Sequence, residues 1–247
     1  MMNIYNKEAK QSDFRQIRLF LAAEGVLYLS FLIGDLAGMP TDGIKFLSIG
    51  LCSGFAITRA RRSREWFVPA ALTLTLAADA CLLFGSDYLI GVLCFCGVQA
   101  LYAARLMWLR GKVRRFTWKD HVPSVAWRVF LYGASLVVVR LVAESTGTDL
   151  LTPLYMAALK SFCQLSVNAA EAWHLLRFEP RVRTFAVGLG LFWACDLCVG
   201  LRYVLAGSAM TALRSLIGYG IWFFYLPAQV CIALAGTIID NNRRNYS

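Results

Sequence analysis

Long apolar runs, separated by short polar or basic stretches, make up most of this chain. Eight runs can be distinguished: Leu19–Leu36, Ile44–Thr58, Trp66–Phe84, Tyr88–Leu109, Val122–Val142, Leu151–Leu176, Arg183–Val204 and Leu213–Ile239. A helix needs about 20 mostly apolar residues to cross a bilayer. The pattern therefore predicts an all-α bundle of about eight transmembrane helices over residues 19–239. The second run is short, and the count would fall to seven if it were re-entrant.

Composition agrees with a membrane protein. Of the 247 residues, 58% are hydrophobic and 16% are charged, whereas charged residues make up roughly a quarter of an ordinary soluble domain. The mean hydropathy is +0.56. We expect a multi-pass protein of a bacterial-type cytoplasmic membrane, with polar cytoplasmic segments at residues 1–18 and 240–247. The polar N-terminus, which includes Glu8 and Asp13, has no cleavable signal peptide pattern.

The basic residues indicate how the chain is oriented. They cluster at the N-terminus, in the second-to-third, fourth-to-fifth and sixth-to-seventh loops, and in the tail, whereas the intervening loops have few. Basic loops lie on the cytoplasmic side of a membrane. The alternation therefore predicts that both termini are cytoplasmic and supports an even number of spans. Because the net charge of +10 is spread over short clusters between apolar runs, we do not expect a nucleic-acid partner.

Two aspartates stand deep within apolar runs. Asp79 lies in the string Ala-Ala-Asp-Ala-Cys, and Asp196 lies in Ala-Cys-Asp-Leu-Cys. Ionisable groups inside a bilayer are expensive, so each one indicates a functional site. Apolar surroundings favour the protonated form of a carboxyl, which is the form that a general acid requires. The structural alternative is a hydrogen bond, or an ion pair between Asp196 and Lys160, which lie at similar depths in their segments.

Other polar side chains fall within the same apolar segments. Gln99 and Tyr102 are spaced i, i+3, and Tyr225 and Gln229 are spaced i, i+4, so each pair faces one side of its helix. They would either line a polar cavity or bond neighbouring helices. Four arginines near segment ends are expected to extend towards the membrane surface. They are Arg105, Arg128, Arg140 and Arg202.

Metal and cofactor sites are not expected. The chain has two histidines, His121 and His174, which argues against a zinc hydrolase built on several histidines. The eight cysteines all lie in apolar segments, where cysteine acts as a small packing residue. Cys195 and Cys198 have no neighbours in sequence of the type that completes a zinc site. We also find no phosphate-binding loop and no serine nucleophile elbow.

With these features the chain resembles the lysoplasmalogenase family, the YhhN-like membrane proteins. The resemblance runs from Lys45 to about Ala235, and four strings carry it. They are Ala77-Ala78-Asp79-Ala80-Cys81-Leu82-Leu83, Gly91 through Gln99-Ala100-Leu101-Tyr102, Ala194-Cys195-Asp196, and Tyr225-Leu226-Pro227-Ala228-Gln229. The resemblance implies an eight-helix membrane bundle with one aspartate in the third helix and one in the seventh.

The resemblance also implies an activity. Lysoplasmalogenases hydrolyse the vinyl ether of a lysoplasmalogen, which is an acid-catalysed reaction suited to two carboxyl groups. Asp79 and Asp196 would then be catalytic, without a metal or another cofactor, and the substrate would be a membrane lysophospholipid. We expect six further residues beside them to bind it: Lys45, Gln99, Tyr102, Lys160, Tyr225 and Gln229. The alternatives are a proton-coupled transporter that uses the same acids, and a non-catalytic lipid-binding protein.

Overall fold

The structure is a computed structural model, and it describes residues 2–63, 65–85, 87–113, 122–146, 152–205 and 210–236. Over these residues the chain is all-α and forms no strand. The helices are α1 (Met2–Leu36), α2 (Asp42–Ser63), α3 (Phe67–Phe84), α4 (Tyr88–Val113), α5 (Val122–Thr146), α6 (Pro153–Leu176), α7 (Arg183–Val204) and α8 (Thr211–Ala235). A short 3-10 turn, Pro180–Val182, precedes α7. Each predicted apolar run coincides with one helix.

Six of the helices are long and apolar enough to cross a membrane: α1, α3, α4, α5, α7 and α8. The remaining two have 22 and 24 residues, so their length would also suffice. The arginines near the end of α2, and the Lys, Glu and His of α6, make these two helices more polar. The chain is therefore a multi-pass helical membrane protein, and the count of eight spans stays a prediction.

Two helix ends differ from the sequence prediction. Helix α1 begins at Met2, well before Leu19, because the polar N-terminal residues continue the same helix. Helix α2 extends to Ser63 and is not short, since the prediction ended it at the first arginines of its basic end. The predicted tail, 240–247, and much of the fourth-to-fifth loop lie outside the described residues.

Glycines allow two helix pairs to pack closely. A Cβ added at Gly91 of α4 would lie 2.8 Å from a Leu82 side-chain carbon of α3. A Cβ added at Gly188 of α7 would lie 2.8 Å from Ile232 and 3.1 Å from the Ala228 carbonyl of α8. Small residues let the backbones of membrane helices approach in this way. The α3–α4 and α7–α8 pairs therefore bring their polar side chains into a common centre.

The basic end of the bundle, called the inner end below and its opposite the outer end, contains a buried ion pair. The Arg105 guanidinium donates to the Glu65 carboxylate, with Nε 2.5 Å from Oε1, and also donates to the Ala235 carbonyl at 3.0 Å. Both side chains are almost wholly buried. The expectation that Arg105 extends to the membrane surface was therefore wrong. Arg140 and Arg202 are exposed, whereas Arg128 pairs with Glu171 between α5 and α6.

Candidate functional site

Asp79 and Tyr225 form the centre of the candidate site. The Tyr225 hydroxyl of α8 donates to both carboxyl oxygens of Asp79 on α3, at 3.0 and 2.8 Å. Both residues are buried, with 3% and 4% of their surface exposed. The two are 146 residues apart in sequence. The sequence placed both residues in the site but could not show that they touch.

Aromatic rings enclose the Tyr225 side chain. Phe192 of α7 and Trp222 of α8 pack against it edge to face, with ring centroids 5.5 and 5.4 Å away. Phe95 of α4 contacts both Tyr225 and Phe192. The Asp79–Tyr225 pair is therefore screened from water by apolar rings whose faces carry partial negative charge. Such faces attract a positive charge that develops nearby.

Asp196 lies on the neighbouring helix α7 in a different setting. It is half-buried, and its carboxyl forms no hydrogen bond or ion pair with the residues that the structure describes. The buried thiol of Cys195, the preceding residue, interacts electrostatically with both Asp196 and Asp79. The two acids thus border one region of the core, next to Cys195. One acid is held by a hydroxyl donor and the other has no such partner.

Lys45 lies near the outer end of the bundle, at the start of α2. Its ammonium donates to Asp35 of α1 at 3.1 Å and lies 5.0 Å from the centre of the Trp222 ring. Thr41 also donates to Asp35. Because Trp222 packs on Tyr225, one ring separates Lys45 from the Asp79 pair. Lys45 is therefore beside the Asp79–Tyr225 pair, with the Trp222 ring between them.

Asp35 is a site residue that sequence reasoning missed. It stands at the last turn of the first apolar run, where a single acid resembles an ordinary helix end. A signal was available, since Asp35 and Lys45 flank the same short loop and their charges are opposite. Lys45 also has Asp42 3.8 Å away. The cluster therefore has one cation and two anions close to Trp222.

Lys160 and Gln99 are not at the centre of the site. Lys160 is exposed on α6 and forms no ion pair with Asp196, so the possible pair between them is not present. Its ammonium interacts instead with the Cys96 thiol of α4. Gln99 accepts a hydrogen bond from the buried Asn168 amide of α6 at 3.0 Å. Gln99 therefore bonds neighbouring helices, which was the alternative interpretation of this residue.

Tyr102 and Gln229 lie one helical turn inward from the acid. Tyr102 of α4 is buried beside Thr75 of α3, and Thr75 precedes Asp79 by four residues. Gln229 follows Tyr225 by four residues on α8 and is 0% exposed. The Tyr102 and Thr75 hydroxyls interact with each other alone, and both polar atoms of the Gln229 amide have no hydrogen-bond partner among the described residues. These side chains extend the polar core from Asp79 towards the inner end.

An apolar cavity of about 420 Å³ opens beside the site, between α1 and α8, with Cys198 of α7 at its wall. Asp35 lines it, and its rim includes the exposed residues Leu216 and Phe223. Cys198 is about 200° around the helix from Asp196, so the cavity is not the space between the two acids. The cavity wall at Cys198 lies one helical turn outward from Cys195, and Cys195 adjoins both Asp79 and Asp196.

Among the residues that the structure describes, no group of three or more His, Cys, Asp or Glu side chains is arranged to hold a metal ion. Cys195 and Cys198 are free thiols.

A third buried carboxyl, Glu24 of α1, accepts hydrogen bonds from Ser48 at 2.6 Å and from Cys52 at 3.3 Å. It ties α1 to α2 and illustrates the structural role that an intramembrane acid can have.

Comparison with known proteins gives one match. The family model described as the YhhN family matches residues 41–236, which is most of the chain. No curated protein and no solved structure matches it. The matched range includes both aspartates, Lys45 and the whole aromatic cluster around Tyr225, but not Asp35.

Proposed function

We propose that this chain, which belongs to the YhhN family, hydrolyses the vinyl ether bond of a lysoplasmalogen within the membrane. The family resemblance to lysoplasmalogenases suggests the reaction. The observation that supports it most directly is the pair of intramembrane acids, Asp79 and Asp196, which border the core at Cys195. Their different surroundings suit the two roles that the reaction requires, a proton donor and a proton acceptor.

The reaction needs one group that gives a proton and one that receives it. In the proposed mechanism Asp196, which accepts no hydrogen bond from the described part of the chain, protonates the β-carbon of the vinyl ether. The C=C electron pair forms the new C–H bond and leaves an oxocarbenium ion. Asp79 stabilises this cation and removes a proton from the water that attacks it. The resulting hemiacetal breaks down to an aldehyde and a glycerophospho alcohol: Asp196 takes the hydroxyl proton, the C–O bond to glycerol breaks, and Asp79 gives its proton to the departing oxygen. One water is consumed and both acids return to their starting states.

The side chains around the acids suit these steps. Tyr225 donates to both oxygens of Asp79, which holds that carboxylate in one orientation. The Phe95, Phe192 and Trp222 rings exclude bulk water and favour a cation. Tyr225 is therefore a positioning residue in this proposal. Lys160, which is exposed and forms no ion pair with Asp196, belongs at most to the periphery of the site.

The substrate would enter sideways from the bilayer. The apolar cavity between α1 and α8 opens at the exposed side chains Leu216 and Phe223, which a single lipid chain would contact on its way in. Asp35 lines the cavity and Lys45 pairs with it at 3.1 Å, so the two offer opposite charges to a zwitterionic head group. The lipid phosphate would pair with Lys45 and the ammonium with Asp35.

The membrane arrangement is also a proposal. We infer eight spans, with α2 and α6 crossing the membrane inside the bundle, in a bacterial-type cytoplasmic membrane. Both termini would then be cytoplasmic, and the basic ends of α2 and α4 would face the same side. Asp79, five residues before the end of α3, would lie in the outer half of the bilayer.

A proton-coupled carrier is the alternative that uses the same acids. A carrier needs a path that opens in turn to each aqueous face. The inner end of the polar core is closed by the Arg105–Glu65 pair, whose side chains are 2% and 0% exposed. This closure, together with the lateral cavity, favours the enzyme over the carrier.

Aldehyde release by the purified protein in detergent tests the proposal. The substrate is a lysoplasmalogen, and two lipids serve as matched controls: the same lipid with a saturated ether and the same lipid with an ester at that position. We expect aldehyde from the vinyl ether alone, because only its carbon can be protonated to an oxocarbenium ion. No turnover with choline or ethanolamine lysoplasmalogens would contradict the proposal.

A further inference from the structure

Directly inward from Asp79, a layer of buried polar side chains has unused hydrogen-bonding groups. Thr75 precedes Asp79 by one turn on α3, and Gln229 follows Tyr225 by one turn on α8. Since α3 and α8 run in opposite directions, both residues lie on the same, inner side of the Asp79–Tyr225 hydrogen bond. Tyr102 of α4 lies beside Thr75 and completes the layer.

These three residues are fully buried and incompletely bonded. Each is 0% exposed. Among the described residues, the amide nitrogen and oxygen of Gln229 have no hydrogen-bond partner, and the Thr75 and Tyr102 hydroxyls interact with each other but with no third group. Buried polar groups of folded proteins are nearly always hydrogen-bonded, to protein or to ordered water. Four such atoms in one layer offer donors and acceptors to a ligand of hydrogen-bonding character.

The inner boundary of this layer is polar as well. Arg105 is one turn inward from Tyr102 on α4, and one of its terminal nitrogens, Nη1, is also without a partner. The Phe185 ring of α7 packs on both, with the Tyr102 ring centroid at 5.5 Å and the Arg105 guanidinium at 4.3 Å. Tyr102 and Arg105 are therefore adjacent along one column, which runs from Asp79 to the Arg105–Glu65 pair.

We propose that Thr75, Tyr102 and Gln229 hold ordered water molecules that supply the water consumed at Asp79. A buried water needs two to four polar partners, and this layer provides them on three helices. The inference rests on the proposed function for the use of the water, but not for its presence. It places the substrate on the outer side of Asp79, at Trp222 and Lys45, and the hydrolytic water on the inner side. The water oxygen attacks the oxocarbenium carbon, and its proton passes to the Asp79 carboxylate.

Radiolytic labelling tests for bound water without reference to activity. Hydroxyl radicals generated from water oxidise nearby side chains, so a buried ring is labelled when ordered water lies next to it. In the wild-type protein, after each rate is divided by the intrinsic reactivity of its residue type, we expect Tyr102 to be labelled faster than Phe20, a ring of α1 that is 5% exposed and lies outside the layer. Slow labelling of Tyr102, equal to that of Phe20, would overturn the water site whether or not the protein is an enzyme.

Two variants identify the residues responsible. Gln229→Leu and Thr75→Val remove the partners of the water, and each should suppress the labelling of Tyr102. Ser53→Ala is the matched control, since Ser53 is 3% exposed and bonds Thr73 away from this layer. It should leave Tyr102 labelling and aldehyde release unchanged. Thermal unfolding of all three variants verifies that they are folded, and Thr75→Val retains the test if Gln229→Leu does not fold.

Kinetics then distinguish the two proposals. If the layer supplies the hydrolytic water, Gln229→Leu lowers kcat for aldehyde release and leaves KM unchanged, because the substrate is bound on the other side of Asp79. A raised KM with unaltered kcat would show that Gln229 contacts the substrate and would overturn the role given to the water. Water labelling at Tyr102 in a protein that releases no aldehyde would refute the hydrolase and leave the water site intact.

Discussion

Asp79 and Asp196 have the same kind of side chain, but the two carboxyl groups lie in different environments. The Tyr225 hydroxyl supports Asp79, and three aromatic rings surround that tyrosine. Asp196 is half-buried and has no such donor among the described residues. A carboxyl that accepts a hydrogen bond is suited to bear charge, whereas one without a donor is suited to hold a proton. This difference is the basis for giving the two acids different roles.

Replacing either acid by asparagine should abolish most aldehyde release. Asparagine keeps the shape, and in Asp79→Asn its carbonyl oxygen can still accept from Tyr225. Neither variant can transfer a proton, and loss of a general acid or base typically costs a factor of about 10²–10⁴ in rate. The measurement is aldehyde release per mole of folded protein, with Ser53→Ala as the control. Turnover that survives both substitutions would refute the proposed mechanism.

Removing the positioning hydroxyl should have a smaller effect. Tyr225→Phe retains the ring contacts with Phe192 and Trp222 but leaves Asp79 without its donor. We expect a fall in kcat smaller than that of Asp79→Asn, because the carboxyl remains but loses its fixed orientation. Comparison of kcat and KM for the two variants measures this. A Tyr225→Phe variant as inactive as Asp79→Asn would indicate that the hydroxyl itself takes part in the chemistry.

For single residues, the sequence identified the polar side chains of the site but not their hydrogen-bond partners. Asp79 and Asp196 stood out because a carboxyl is rare in an apolar run, and Tyr225 stood out by its spacing from Gln229. The hydrogen bond between Asp79 and Tyr225 joins residues 146 positions apart, and no local pattern reveals it. Asp35 was missed because an acid at a helix end has an ordinary explanation. Asn168, which bonds Gln99, resembled any small polar residue.

Among the elements, the α7–α8 pair depends on Gly188. An alanine there would place its Cβ 3.1 Å from the Ala228 carbonyl and 2.8 Å from Ile232, so the helices would have to separate. Overpacking of this kind costs about 1–3 kcal/mol. Gly200→Ala on the same helix is the matched control, because nothing lies within 4 Å of its added Cβ. We expect a lower unfolding temperature for Gly188→Ala only; equal unfolding temperatures would contradict the close packing.

The Arg105–Glu65 pair should be essential for the inner end of the bundle. Glu65→Ala leaves the Arg105 charge buried and unpaired, at a cost of about 3–5 kcal/mol. Arg140→Ala breaks an ion pair with Glu144 whose side chains are 71% and 60% exposed, and such pairs contribute about 0–1 kcal/mol. Thermal unfolding in the same detergent compares the two variants. A double variant, Arg105→Met with Glu65→Leu, should recover much of the loss, since it removes the unpaired charge.

Helix positions were predicted well because apolar runs and the helices of a membrane protein have the same length scale. Each predicted run falls on one of α1 to α8, and the errors are at polar ends, where Arg59 and the residues before Leu19 continue a helix. Arg105 shows the limit of the pattern. An arginine near the end of an apolar run usually reaches the membrane surface, but here Glu65 lies close enough to pair with it. That pairing depends on how α3 and α4 pack.

For the whole molecule, the placement of α2 relative to the membrane has the greatest consequence for the site. Helix α2 carries Lys45 and also Ser48, which bonds Glu24 of α1. The placement of α2 therefore determines where the head-group end of the site lies. If α2 is a span, its two ends face opposite sides of the membrane. If it is re-entrant, both ends face the same side and the alternation of basic loops ends there.

Labelling of single introduced cysteines with a membrane-impermeant maleimide in intact cells decides between these arrangements. Met39, which is 63% exposed in the α1–α2 loop, and Arg61, exposed near the end of α2, flank the helix. We expect Met39→Cys to react from outside and Arg61→Cys to react only after the cells are opened, because basic residues remain cytoplasmic. The unmodified protein provides the blank, since its eight cysteines all lie within helices. Reaction of both positions from the same side would exclude α2 as a span, and reaction of Arg61→Cys alone from outside would invert the proposed orientation.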